Sequence, residues 1–281
     1  MSILWYPTPK QSPLLGVTGL GGGIASRLGG KAPNPYRGLV GNGSLRSGFT
    51  NLQMAFPFTD AKGGADLSGN NRSLSNHGPN NAVEYSISGT DKNGDPPPYT
   101  TAYGKTQSSM DYSWYNANTD YDFRGSQNLT VECWFQINSP DTSIQILNMY
   151  STQSEGQVLN VGTTNGVRSF AWSGSVDYDV KGGSASIVVG RWHHAAYTRD
   201  SSTSPDTHTV FLDGVQVAQA TSDTYGGSYS ENQYCNGQYG GGGGAAGSPS
   251  PNSFIMDFRA FNTVKYTSNF DIAEYLPTLD A

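Results

Sequence analysis

The stretch LTVECWFQI, residues 129–137, sets Leu129, Val131, Cys133, Phe135 and Ile137 at alternate positions, with Thr130, Glu132, Trp134 and Gln136 between them. A period of two belongs to an extended strand, whose successive side chains point to opposite faces; a helix would scatter these apolar residues around its axis. The expectation is a half-buried strand with its apolar face on a core. Runs of similar character recur at FTNLQMAFPF, IQILNMY, VLNVGT, VRSFAWS, SIVVG, WHHAAYTR, HTVFLD, VQVAQA and SFIMDFRAF. In VFLDGVQV, Asp213 and Gly214 sit between two apolar segments and supply the two positive φ angles that a type I′ hairpin turn requires.

Turn formers dominate the rest, with 36 glycines in 281 residues and only 14% charged side chains, a mixture poor in helix formers. Short strands separated by Gly, Ser, Asn and Pro clusters predict an all-β antiparallel jelly-roll sandwich, and the length suits one large domain. Three stretches interrupt the pattern and read as loops: residues 90–104, 199–208 and 235–252. Cys133 and Cys235 lie too far apart in sequence to establish a pairing or a metal motif, and the expected state is two buried thiols.

Residues 1–50 are different in kind. They carry Lys10, Arg27, Lys31, Arg37 and Arg46 and no acid, which leaves 11 cations against 22 acids, a net charge of −11, in residues 51–281. The domain reading is therefore an extended basic Gly/Leu/Pro-rich arm over 1–50 and a sandwich over 51–281. Within the arm, SPLLGVTGLGGGIASRLGG supports neither helix nor strand periodicity. Its Leu14, Leu15, Val17, Leu20, Ile24 and Leu28, with Arg27, are small anchors that a preformed acidic protein surface would order. Five cations spread over fifty residues are too sparse for nucleic acid. No apolar run reaches the ~18–20 residues of a bilayer span, and no signal peptide is recognised, so neither membrane insertion nor Sec export is expected.

Taken in order, DLSGNN (66–71), YDFRGSQNLTVECWFQI, RWHHAAYTRD, HTVFLDGVQVA and FIMDFRAFNTVKYTSNF resemble the laminin-G-like, concanavalin A-like lectin/glucanase sandwich over roughly residues 55–275. The close NTVKYTSNF is similar to that of bacteriophage versions of the domain, although Asp271-Ile272-Ala273 stands where a proline is usual. The Leu/Gly-rich opening also resembles the N-termini of phage structural proteins.

The resemblance implies specific chemistry to look for. Glucanases on this fold use paired glutamates, since retaining hydrolysis needs two carboxyls about 5 Å apart. The glutamates here, Glu84, Glu132, Glu155, Glu231 and Glu274, form no such motif, so no catalytic residue is expected and the chain reads as not an enzyme. His193 and His194 adjoin on one strand and face opposite ways, the expectation being one packed inward and one on the surface; His77 and His208 fall in loop-like sequence. The resemblance makes Asp66 and Asp257 the candidate ligands for a structural calcium ion, against the alternatives of a turn at Asp66 and an Asp257–Arg259 pair on one strand face. Candidate glycan or receptor contacts are Tyr112, Trp114 and Tyr115 in one aromatic cluster and Tyr229, Tyr234 and Tyr239 in another.

These readings converge on a bacteriophage virion structural protein, a capsid decoration or a tail fibre or adhesin. It would be made in the host cytoplasm, bound to other virion proteins through residues 1–50, and display a lectin-like sandwich toward host glycans. Homo-oligomers are common among such appendages, a trimer among them. The alternative is a free extracellular carbohydrate-binding module, calcium-dependent or not.

Overall fold

The computed structural model describes residues 39, 41, 43–59, 65–71, 74–77, 83–87, 97–99, 101–105, 112–115, 127–138, 143–152, 155–173, 175–223, 233–235 and 253–280. The anchor positions Leu14, Leu15, Val17, Leu20, Ile24, Arg27 and Leu28 and the aromatics Tyr229 and Tyr239 lie outside them.

Fifteen strands are described: β1 (Leu52–Phe56), β2 (Leu74–His77), β3 (Val83–Ile87), β4 (Thr101–Lys105), β5 (Tyr112–Tyr115), β6 (Leu129–Ile137), β7 (Ser143–Thr152), β8 (Glu155–Gly162), β9 (Gly166–Ser173), β10 (Val176–Gly182), β11 (Trp192–Asp200), β12 (Thr207–Leu212), β13 (Val215–Thr221), β14 (Gln233–Cys235) and β15 (Ser253–Phe261). They form two antiparallel sheets. One runs β13-β12-β11-β6-β15-β4-β3, with β1 also on β15; the other runs β10-β9-β8-β7-β14-β5-β2. The main core lies between them. Leu129, Val131, Cys133, Phe135 and Ile137 of β6 meet Leu159 and Val161 of β8, Ala171 of β9 and Val180 of β10. Cys133 is buried in this core.

The hairpin reading holds: Asp213 and Gly214 have φ of 50° and 79° and join β12 to β13. A Cβ on Gly214 would stand 2.2 Å from the Phe270 carbonyl oxygen, so only glycine lets the turn seat beneath the later chain. SIVVG is not a strand. Ser184–Ser186 form a 3-10 turn, and the Val188 and Gly190 amides bond to His193 Nε2 and the Ile137 carbonyl instead of to a ladder. Strands β2 to β5, β10 and β14 fall where no strand is expected, and β4 occupies the end of the stretch read as a 90–104 loop.

The largest departure from the sequence reading is the second face of β6. Every residue of this strand is buried, not every other one. Trp134 packs with Trp192, Met256, Tyr99, Tyr275 and Leu279 in a second apolar cluster on the outer face of the larger sheet. Two segments roof it. Residues 262–280 cross this face, tied by Thr130 Oγ1 donating to the Thr263 carbonyl (2.7 Å) and by the Phe270 amide donating to the Gly214 carbonyl (2.8 Å). Residues 39, 41 and 43–50, the described part of the expected arm, lie beside them: Leu39 bridges Tyr99, Leu45 bridges Leu279, and Arg46 bonds to the Pro277 and Leu279 carbonyls and to Asp280.

This roof explains why His193 and His194 are both buried, although they face opposite ways as adjacent strand residues must. His208 lies in β12, not a loop, with no exposed surface. Its Nε2–H donates to the Ser222 carbonyl (3.1 Å), which fixes Nδ1 as the acceptor of the Tyr197 hydroxyl (2.8 Å), and its ring stacks on Tyr178 at 4.1 Å. Burial pulls its pKa from 6.5 down to about 4.

An unfolded chain therefore binds a proton between those values that the folded chain refuses, so folding stability is full above about pH 6.5 and falls as pH drops toward 4. The expected loss is about 3 kcal/mol from this residue, at 1.36 kcal/mol per pH unit. Urea unfolding across that range should give a shallower decline for His208→Gln than for the natural chain; buried His194, shifted in the same direction, keeps part of the slope.

Candidate functional site

Two surfaces concentrate chemistry, one on each outer face of the sandwich. On the larger sheet the key is a β-bulge. Between Met256, paired with Trp134, and Arg259, paired with Glu132, β15 has two residues where β6 has one. Asp257 takes φ 53°, a left-handed conformation that aspartate tolerates, and the extra residue turns Arg259 to the outer side of the sheet. Arg259 NH2 then reaches Glu132 Oε1 at 2.7 Å, both side chains being essentially inaccessible to solvent. Lys265 Nζ donates to the same oxygen at 2.7 Å and the Tyr266 hydroxyl to Oε2 at 2.6 Å. Burial alone would raise the Glu132 pKa, but Arg259 and Lys265 beside it hold it well below the usual carboxylate range. His194 Nε2 stands 3.5 Å from Oε2, and burial lowers the His194 pKa, so the imidazole is neutral.

Beside this cluster, residues 48–50, β15 and the C-terminal segment enclose a cleft of about 370 Å³. Arg259 and Lys265 line it together with Phe49, Phe261, Tyr266 and Phe270, and with Asp271, Glu274 and Leu276. Tyr266 and Phe270 stack with centroids 3.7 Å apart, and the Lys265 ammonium lies 4.2 Å from the Phe261 ring centroid.

On the smaller sheet, β9 alternates Arg168, Phe170 and Trp172 outward with buried Ser169 and Ala171. The Phe170 and Trp172 rings are half-buried and stacked, 5.2 Å between centroids and 24° between planes. The Arg168 guanidinium covers Phe170 at 4.1 Å and holds Asp179 of β10 in a bidentate pair, 2.7 and 3.0 Å, while Lys181 adds a third bond to Asp179 at 3.2 Å. These two cations keep Asp179 ionised, its pKa lowered against the opposing effect of partial burial. The result is an aromatic step with a charged fringe, able to stack an apolar ring face and to exchange hydrogen bonds with hydroxyls.

The expected aromatics fall partly into the same sheet. Register places Trp114 opposite Tyr234, and that row continues through Asn148 and Val158 to Phe170 and Asp179. Tyr115 falls in the neighbouring row, which leads through Gln233, Met149 and Gln157 to buried Ala171 and Tyr178, and Tyr112 pairs with His77. Phe170 and Trp172 escaped notice because VRSFAWS read only as a strand; the alternation of large with small residues along it was the available signal.

The candidate calcium ligands have other partners. Asp66 Oδ1 accepts from the Ala55 and Ser68 amides (3.0 and 2.9 Å) and Oδ2 from the Ser68 hydroxyl (2.9 Å), which docks its turn on β1. Asp257 accepts from the Tyr275 hydroxyl (2.6 Å), the Thr278 amide (3.2 Å) and the Tyr99 hydroxyl (3.3 Å), with Arg259 NH1 4.0 Å away. A carboxylate encircled by donors and a guanidinium does not fit a cation, and among the described residues no three His, Cys, Asp or Glu side chains converge as ligands.

Removing one partner of a buried ion pair costs roughly 3–5 kcal/mol, because the other charge is left without compensation. Glu132→Gln should therefore lower the urea-unfolding free energy by that order, whereas Asp179→Asn, on the half-exposed platform, should change it little.

Known structures share this architecture. The binding domain of botulinum neurotoxin serotype D aligns with TM-score 0.52 and 12% identity over 77% of this chain and 48% of that one. The binding domain of Paraclostridial mosquitocidal protein 1 aligns with TM-score 0.55 and 13% identity over 77% and 50%. Domain 4 of an extracellular arabinanase from Geobacillus stearothermophilus, solved with arabinotriose, aligns with TM-score 0.52 and 13% identity over 76% and 93%. The chain thus spans about half the length of the toxin domains. No curated protein sequence matches it. The family model of the concanavalin A-like lectin/glucanases superfamily matches residues 109–266, more than half of the chain. This chain belongs to that superfamily.

Proposed function

We propose that the protein is a non-catalytic, glycan-binding structural protein of a bacteriophage virion, attached to the particle through its N-terminal segment and displaying the sandwich for host-surface contact. The observation that carries the binding half is the stacked Phe170–Trp172 step with Arg168, Asp179 and Lys181 at its edge. Flat rings stack against the C–H face of a sugar, and ionised groups beside them discriminate hydroxyl patterns. A sandwich of this fold solved with arabinotriose supports the choice of ligand class.

The non-catalytic half rests on Glu132. This strand carboxylate, at the centre of the larger sheet, is buried, ionised and bonded to Arg259, Lys265 and Tyr266, so it has neither the proton of a general acid nor the access of a nucleophile. Virion attachment is supported by the acid-free, glycine-rich composition of residues 1–50 and by the NTVKYTSNF close.

Two measurements test the reading. On a glycan array the full chain should bind a defined set of glycans, and Trp172→Ala should weaken binding at least tenfold, about 1.4 kcal/mol, without lowering the thermal midpoint; a blank array, or full binding by the variant, overturns it. Deleting residues 1–38 spares the described contacts of Leu39, Leu45 and Arg46, so the sandwich should fold and bind glycans yet fail to join particles. Normal incorporation of that truncated protein would remove the virion role.

A further inference from the structure

The ionic cluster at the floor of the cleft over the larger sheet holds a buried hydrogen-bond donor that the described residues leave unpaired. Arg259 is buried; it spends NH2 on Glu132 and NH1 on the Leu276 carbonyl, yet among the described residues its Nε has no partner. Lys265 gives one bond to Glu132, and its side chain stays one-quarter exposed. Both cations thus converge on Glu132 at the floor of the cleft, with Asp257 4.0 Å from the far side of the Arg259 guanidinium. Asp257, beyond Arg259, is already engaged by Tyr275, Thr278 and Tyr99. A buried N–H without an acceptor is costly, and a guanidinium edge beside an ammonium is the usual recognition element for a carboxylate.

The walls and rim narrow the choice. Stacked Tyr266 and Phe270, with Phe49 and Phe261, provide flat apolar surface. Asp271 and exposed Glu274 stand among the lining residues; Asp271 Oδ1 accepts the Ala273 amide at 3.0 Å. These carboxylates accept hydrogen bonds from hydroxyls and repel a second negative charge, which disfavours a phosphate dianion. A volume of about 370 Å³ lies at the lower end of small-molecule pockets.

We infer that this cleft binds a hydroxylated monocarboxylate of the hexuronate type. Its carboxylate meets Arg259 and Lys265, its ring face lies on the aromatic wall, and its hydroxyls turn to Asp271 and Glu274. The site is on the opposite face of the sandwich from Phe170 and Trp172 and works by charge recognition, so it stands whether or not the platform binds glycans. The ligand is either a free sugar acid or one uronate residue of an acidic polysaccharide.

Titration calorimetry on the full chain distinguishes these. Sodium glucuronate should bind at least tenfold more tightly than glucose or inorganic phosphate, with affinity falling as salt is added. Leu276→Trp fills the mouth of the cleft without touching the ionic cluster, whose only bond to residue 276 is to its backbone carbonyl, and should abolish binding at an unchanged thermal midpoint. Lys265→Met should weaken it at least tenfold, and Trp172→Ala should leave it intact. A uronate trisaccharide that binds where the monosaccharide does not, and loses binding in Leu276→Trp, identifies the polysaccharide as the source. Equal binding of glucose, preference for phosphate, no binding of either uronate, or indifference to Leu276→Trp overturns the inference.

Discussion

A carboxylate with no exposed surface stays ionised only if cations and hydroxyls take the place of water. At Glu132 the replacements arrive from a strand and from the segment that follows it: Arg259 from β15, Lys265 and Tyr266 from the chain just beyond. The bulge at Asp257 is what makes this possible, since an unbroken β15 would alternate Arg259 into the apolar core. The same Asp257 carboxylate then takes the Tyr275 hydroxyl and the Thr278 amide, so one irregular residue both supplies the counter-ion and ties down the roof above it. The arrangement is specific because it is expensive to satisfy only in part.

Strand content, the hairpin at Asp213 and Gly214, and the inward set of β6 were legible because each depends on local periodicity or on a dihedral requirement of neighbouring residues. What could not be read was the outward set. Thr130, Glu132, Trp134 and Gln136 look like the wet side of a strand, and residues distant in sequence bury them, from Tyr99, Gly190 and Trp192 to Thr263 and Lys265. The same nonlocal cover placed His194 inside, and it turned the end of the expected arm into part of the body through Leu39, Leu45 and Arg46. Short strands such as β2 and β14 carry too few residues to show a period. On β9 the pattern was visible, but nothing in a single strand says which face will meet the second sheet.

The two faces of the sandwich solve different electrostatic problems. On the larger sheet the Glu132–Arg259 pair is buried and neutralised within the protein, and the aromatic rings pack around it. On the smaller sheet the Arg168–Asp179–Lys181 group remains near water, where it adds little to stability and keeps its side chains accessible to an incoming ligand.

The pairing of Leu45 with Leu279, and the seat of Leu39 beside Tyr99, give the molecule a handle as well as a roof. Both segments lie on the outer face of the larger sheet, so a pull on Leu39 or on residues 262–280 is borne by that sheet. The face carrying Phe170 and Trp172 lies on the opposite side of the sandwich, clear of that load.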